Sequence, residues 1–253
     1  MPHDLMVDLA HALDPVGFGE DRLAFHPDPW QAQLLRSTAP WLLLNCCRQS
    51  GKSTTTAVLA LHTALYDPGL ILLVSPSLRQ SKELFAKVGR FLKSLEPVEP
   101  LEEDNRSSCE LKNGSRIVSL PGDPETLRGF SAPRLIVKDE CAYIGDDMQA
   151  ALDPMLAVSD GRLIEMSSPA GRRGHFFENW QNGEGAERIK ITARDCPRIS
   201  AEFLEQQRKK LGPMLFAQEY ECEFIDAASS AFSSEMVAQA LVDDFPLFLA
   251  AAA

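Results

Sequence analysis

No stretch of the 253-residue sequence approaches the ~18 uninterrupted apolar residues that a membrane-crossing helix needs. The amino terminus, Met1-Pro2-His3-Asp4, lacks both the basic start and the apolar core of a secretory leader. Cysteines paired at C-x-x-C spacing are missing. The six present, Cys46, Cys47, Cys109, Cys141, Cys196 and Cys222, are scattered, which speaks against a zinc ribbon. Cys46 and Cys47 fall where a disulfide would distort a tight loop, so a reducing cytoplasm is the expected setting. Histidine is scarce, at five residues, and no Gly-x-Ser-x-Gly elbow occurs, which argues against the hydrolase triads. Positive charge is in deficit. A net charge of −11 speaks against a global electrostatic grip on nucleic acid, while leaving room for a local basic groove. Acidic residues away from the strand ends form no cluster of the kind a two-metal nuclease needs.

What is present is an ordinary soluble composition, 45% hydrophobic and 24% charged, on a chain long enough to bury a real core. One stretch organises it. The apolar run Leu42-Leu43-Leu44 breaks into Asn45-Cys46-Cys47-Arg48-Gln49-Ser50-Gly51-Lys52-Ser53-Thr54, and a helix-compatible segment follows. This is the strand–loop–helix layout that cradles nucleotide phosphates, with backbone N–H groups turned toward an anion. Lys52 would reach the outer phosphates and the Ser53 hydroxyl would hold Mg2+. The pattern departs from G-x-x-x-x-G-K-[ST] in one place, where Cys46 stands for the first glycine.

Alternating elements follow in order. A short helix is expected near Asp4–Leu13, then a loop. Asp28-Pro29 starts a helix, with Asp as the cap and Pro at the first helical position. Strands are expected over Leu42–Asn45, Leu70–Val74, Leu135–Val137, Leu163–Met166 and Arg188–Thr192. Helices are expected over Ser53–Tyr66, Gln80–Leu95, Asp146–Ala157 and Gly174–Trp180, and over Ala201–Leu211 and Pro213–Tyr220 joined at Gly212. Glu96–Glu103 reads as a Pro-rich acidic linker, and Asn113-Gly114 marks a hairpin within Cys109–Leu120. Glu221–Ile225 reads as a last strand, and the alanine-ended tail as a frayed terminus. The pattern implies an α/β fold with a mostly parallel sheet flanked by helices. Ligands of such sheets bind outside the carboxyl ends of the strands, and three candidate sites fall there: Arg48–Ser53, Asp139-Glu140 and Ser167-Ser168.

Asp139 would support the Mg2+ shell, and the adjacent Glu140 would polarise a water for attack on the γ-phosphate. No Asn-Lys-x-Asp stretch for guanine is present. Lys138 is an ion in a run that should be buried, so it faces a thinly covered surface or pairs with an acid. The Gln31 amide matches the adenine edge, with Trp30 beside it and Gln33 as a competing choice. Arg48 within the loop and Arg128 in a Leu-Arg-Gly turn are candidates to stabilise transition-state charge, an effect worth ~10³–10⁵ in rate where it operates. Either also fits a structural ion pair. Ser167 and Ser168 could sense the γ-phosphate or simply cap a turn. Arg172, Arg173 and His175 make a small basic cluster, which fits a DNA backbone contact or a solvated loop.

Taken together these residues resemble the ATPase domain of the large terminase subunit of tailed bacteriophages. The resemblance rests on Trp30-Gln31, Cys47-Arg48-Gln49-Ser50-Gly51-Lys52-Ser53, Ser75-Pro76-Ser77-Leu78-Arg79-Gln80 and Leu127-Arg128-Gly129. It continues through Val137-Lys138-Asp139-Glu140, Ser167-Ser168-Pro169 and Gln218-Glu219-Tyr220-Glu221-Cys222-Glu223-Phe224, running from about residue 29 to 232. The family's shortened loop accounts for Cys46. The resemblance implies an ASCE-type P-loop NTPase core over residues 1–170, a lid subdomain over 171–232 and a tail over 233–253. It implies ATP and Mg2+ as cofactors. Gln31, Arg48, Gln49, Ser50, Gly51, Lys52, Ser53 and Thr54 would form the nucleotide site, with Ser53 and Asp139 at the metal. Glu140, Arg128 and Arg48 would be catalytic, and Ser167 and Ser168 would couple hydrolysis to motion.

The implied partners are double-stranded DNA, a portal protein, a small terminase subunit and further copies in a ring. The place would be the cytoplasm of an infected host, transiently at the procapsid portal. Lys138 departs from the apolar residue usual in the family. The family continues into a nuclease domain, and this sequence stops soon after the lid, so no nuclease activity is expected of it. Two other readings stay open: a helicase-like or DNA-repair P-loop ATPase, and a non-catalytic module that nucleotide switches between partners. The short lid cannot supply the second lobe that a two-lobed helicase needs.

Overall fold

A computed structural model describes residues 2–95 and 101–225. Three helices lead in: α1 (Pro2–Leu13), α2 (Pro15–Leu23) and α3 (Pro29–Arg36). The α2 segment differs from the expected loop, an expectation that follows from Gly17 and Gly19, which weaken a helical pattern. Asp14 caps it through Val16 N–H, Pro15 opens it, and Val16, Phe18 and Leu23 are buried by it. Tertiary burial outweighs propensity there.

Strand β1 (Trp41–Cys46) runs into the phosphate loop and helix α4 (Lys52–Tyr66). β2 (Leu70–Ser75), α5 (Leu78–Ser94), β3 (Leu101–Asp104), β4 (Ser108–Leu111) and β5 (Arg116–Pro121) follow. Part of the expected acidic linker is therefore strand, since β3 pairs with β4. Residues 96–100 of that linker, and the tail from 226, lie outside the described residues. β4 and β5 form the expected hairpin around Asn113-Gly114, closed by a Gly114 N–H donated to Leu111 O. Then come β6 (Pro133–Asp139), α6 (Asp146–Ser159), β7 (Arg162–Ser167), α7 (Gly174–Asn182), β8 (Glu187–Ile191) and α8 (Ala201–Glu221). The two expected helices are one segment broken at Gly212, whose φ of 74° only glycine takes readily. The expected strand over Glu221–Ile225 does not form. Helix α8 runs through Glu221, and Cys222 takes a left-handed cap that directs its carbonyl to the Asn45 side-chain amide.

All eight strands join one sheet in the order β3-β4-β5-β2-β6-β7-β1-β8. The six from β5 to β8 are parallel, and β3-β4 adds an antiparallel edge. Parallel strands covered on both faces read as continuous apolar runs, and these do. Alternate side chains supply two cores. Leu42, Leu44, Ile71, Leu73, Leu135, Val137, Ile164 and Met166 pack on the side of α2 to α5. Leu43, Leu72, Val74, Ile136 and Leu163 pack on the other side with Met148 and Leu152 of α6 and Phe176 of α7. β8 pairs with β1, so the main sheet extends beyond residue 170. The strand bearing Ser167 lies between those that lead to Lys52 and to Asp139, which brings three strand ends together.

Candidate active site

The phosphate loop turns on Gly51. Its φ is 99°, and a Cβ there would stand 2.9 Å from Gln31 Nε2 and 3.2 Å from Arg198 Nη2. Glycine is thus required for both backbone and space. Gly51 caps α4, its carbonyl accepting from Thr54 N–H and Thr55 N–H. Cys46, at the site of the absent early glycine, is fully buried, and that burial pushes its thiol well up, so it is filler rather than nucleophile. Ser50 is buried with no hydrogen-bond partner for its hydroxyl, and Gln49 is exposed in a left-handed conformation.

Lys52 Nζ lies 2.7 Å from Glu140 Oε1, and Ser53 Oγ donates to Asp139 Oδ2 at 2.9 Å. Ser167 Oγ stands 3.4 Å from Glu140 Oε2. Five of the predicted residues therefore meet at the carboxyl ends of β1, β6 and β7. Glu140 takes left-handed backbone angles, φ 54° and ψ 41°, an unusual conformation for a side-chain-bearing residue. Burial acts to lower Lys52, but Asp139 and Glu140 outweigh it and hold the ammonium above its ordinary range. Burial pushes Asp139 up, against the pull of Lys52. Asp139 Oδ1 is buried without a partner, so it has a free acceptor for a metal-bound water.

The other predicted residues sit around this centre. Gln31 is buried, and its amide oxygen accepts the Asp28 N–H at 2.8 Å in a capping box, which leaves the nitrogen toward Gly51. Trp30 packs in the core, and Gln33 is exposed. The Arg48 guanidinium, which is largely exposed, pairs with Glu219 of α8, and its backbone N–H donates to Glu219 O at 3.2 Å. Arg128 is 83% exposed, with Glu125 as a contact at 4.0 Å, and is not brought to the phosphate loop of its own chain. Ser168 is buried beside Ser167. Arg172 donates to Phe224 O at 3.1 Å, whereas His175 is buried and so is not part of an exposed basic cluster.

Arg198 is not legible from sequence. Its Nη2 donates to Ser50 O at 2.8 Å and lies 2.7 Å from Asp28 Oδ2, fastening the phosphate loop to the cap of α3. With Arg48, Gln49, Ile199, Ser200, Phe203 and Tyr220 it lines an open cleft of about 470 Å³ beside the loop. Lys138, the anomalous ion, pairs with Glu165. Cys141, Glu165 and His175 present ligand atoms within 4.8 Å of one another, but the Lys138 ammonium already lies against two of them and supplies the positive charge there.

The comparisons with known proteins agree with this arrangement. Residues 43–239 match the family described as terminase large subunit, T4likevirus-type, N-terminal. The chain belongs to that family. A large terminase subunit from Thermus phage G20c is 27% identical over 249 residues, covering 83% of this chain and 51% of that protein. One from Thermus virus P23-45 is 26% identical with the same coverage. The terminase chain therefore spans about half the length of the curated relatives it matches, and carries the N-terminal, ATPase part. The large terminase ATPase domain of Thermus phage P74-26 superposes with a TM-score of 0.71 at 24% identity, over 84% of this chain and all of that one. The HK97 large terminase gives 0.67 at 15% identity, over 82% of this chain and 53% of that one. The fold is thus that of terminase ATPases, ASCE-type P-loop proteins. No helix among the described residues is long and apolar enough to cross a membrane.

Proposed function

We propose that this terminase domain hydrolyses ATP to ADP and phosphate, and that hydrolysis drives double-stranded DNA into a procapsid. The observation that carries the reading is the meeting of Lys52, Ser53, Asp139, Glu140 and Ser167 at three adjacent strand ends. A large terminase of like fold, from a thermophilic bacteriophage, has been solved with ADP and with ATP-gamma-S, which supports a nucleotide in the corresponding place here.

Lys52 and the backbone N–H groups at the start of α4 would bind the outer phosphates. Ser53 and Asp139 would hold Mg2+, consistent with the free acceptor on Asp139. When bound, that ion would neutralise charge on the phosphate oxygens. Glu140 would take the proton of the attacking water, with its carboxylate held by Ser167 and Lys52 until substrate arrives. Arg48, released from Glu219, would approach the phosphates. Arg128, exposed on its turn, would serve a neighbouring copy in a ring. The lid, over residues 171–232, would act through α8, which touches the loop at Arg48. Portal protein, small terminase subunit and duplex DNA are the partners of this reading.

The test is steady-state hydrolysis with ATP and Mg2+. Glu140→Ala should lower turnover by roughly a hundredfold or more while ATP still binds. An unchanged rate would remove Glu140 from the mechanism.

A further inference from the structure

The sheet face opposite α4 buries an ion pair that hydrolysis chemistry does not require. Lys138 and Glu165 are both fully shielded from solvent. They are register partners on β6 and β7, and Nζ donates to Oε1 at 2.9 Å. Lys138 also donates to Gln149 Oε1 at 2.6 Å and lies 3.0 Å from His175 Nε2. The second Glu165 oxygen accepts from Trp41 Nε1 of β1 and Asn179 Nδ2 of α7, each at 3.0 Å. One carboxylate is thus gripped from β1, β6 and α7.

Stability alone does not account for it. Two ions removed from water lose hydration that their attraction regains only in part, and apolar residues of like volume often serve as well. Position accounts for it better. β6 and β7 are buried on both faces, so their apolar runs, Leu135-Ile136-Val137 and Leu163-Ile164, discriminate poorly between one register and the next. Only the paired charges do. The next pair along is Asp139 with Met166, and one step further Glu140 meets Ser167. A slip of one residue would turn Asp139 to the far face and part Glu140 from Ser167.

We propose that Lys138 and Glu165 are positioning residues: their pairing sets the register of β6 against β7, and so holds Glu140 where it meets Ser167 and Lys52. Neither residue touches the phosphate loop, and the effect runs through the backbone to Glu140. The inference rests on the ATPase reading for its consequence, but its structural claim can be read without turnover.

The experiment compares wild type with Glu165→Gln, Lys138→Met and the double variant Lys138→Met/Glu165→Met. Turnover and KM for ATP, affinity for a fluorescent ADP analogue, thermal midpoint, and hydrogen exchange of peptides covering 135–141 and 163–168 are measured on each. The single variants should lose turnover by on the order of 10- to 100-fold, as small misplacements of a catalytic group do, while KM and analogue affinity stay within about threefold. The double variant, freed of unpaired charge, should recover thermal stability but not turnover. Exchange in the two peptides should rise in all three variants while that of α4 stays unchanged. A double variant with wild-type turnover would overturn the proposal and leave the pair a constraint on folding only. Unchanged exchange at the two strand ends would overturn it whether or not the wild type hydrolyses ATP. Absence of wild-type turnover, with exchange responding as expected, would instead strike the ATPase reading and leave the register claim standing.

Discussion

Lys52 Nζ and Glu140 Oε1 stand 2.7 Å apart, so the phosphate-binding cation and the water-activating carboxylate hold each other in the absence of nucleotide. ATP must take Lys52 from Glu140. Glu140→Gln removes the competing charge and keeps the shape. Its affinity for a fluorescent ATP analogue should rise severalfold, while turnover falls by roughly a hundredfold or more. Titration and steady-state assay on the same preparation check both halves. A weaker affinity would mean that Glu140 helps to hold Lys52 in a binding-ready place.

Arg48 and Glu219 set up a second competition, between the lid helix and the phosphates. Arg48→Ala should raise the KM for ATP and lower turnover by at least about tenfold, as loss of a charge-assisted phosphate contact does. Glu219→Gln should lower KM, because it frees the guanidinium. Steady-state kinetics of the two variants should therefore part in opposite directions. Parallel increases in KM would show that the pair acts as one structural unit.

Arg128 faces solvent on a turn next to Gly129, whose φ is 93°. An exposed pair such as Arg128 with Glu125 contributes ~0–1 kcal/mol, so Arg128→Ala should leave the thermal midpoint nearly unchanged. Its loss should nonetheless slow hydrolysis wherever copies assemble. Mixing Arg128→Ala with Lys52→Ala subunits should restore part of the activity, since each supplies what the other lacks. Assembled mixtures that stay inactive at every ratio would place Arg128 outside the catalytic contact.

The strands are legible because parallel strands buried on both faces read as plain apolar runs, and the strand-end motifs follow from them. Gly51, Lys52 and Ser53 carry a local pattern that spacing alone exposes. Arg198 and Glu219 carry none. Each reaches the loop from a distant segment, and neither its type nor its neighbours mark it. Gln31 illustrates the reverse case: the motif is visible, but Asp28-Pro29-Trp30-Gln31 equally encodes a capping box, and its amide oxygen makes that bond. α2 escapes a sequence reading because its glycines weigh against a helix, while the burial of Phe18 that favours it is a long-range fact. Lys138 looks anomalous until its register partner, Glu165, is known.

That buried pair also fixes an acid response. Burial acts to raise Glu165, but Lys138, with hydrogen bonds from His175 and from Lys138 itself, holds it down at about 2 against an ordinary 4.5. A carboxylate depressed on folding stabilises the folded state at every pH above its unfolded value. That contribution is lost as pH falls from 4.5 toward 2, where the folded protein must also take up the proton. The wild type should therefore keep a constant advantage in thermal midpoint over Glu165→Gln from neutral pH down to about 5, and the advantage should shrink below that. Asp14 and Asp146 are also depressed, by Arg36 and by hydrogen bonds from His175, and they add to acid unfolding in both proteins. The difference between wild type and variant isolates Glu165. Two midpoint curves that run parallel through about pH 5 to 2.5 would mean that Glu165 is not the ion in this pair. The register it is proposed to hold would then have to rest on neutral hydrogen bonds.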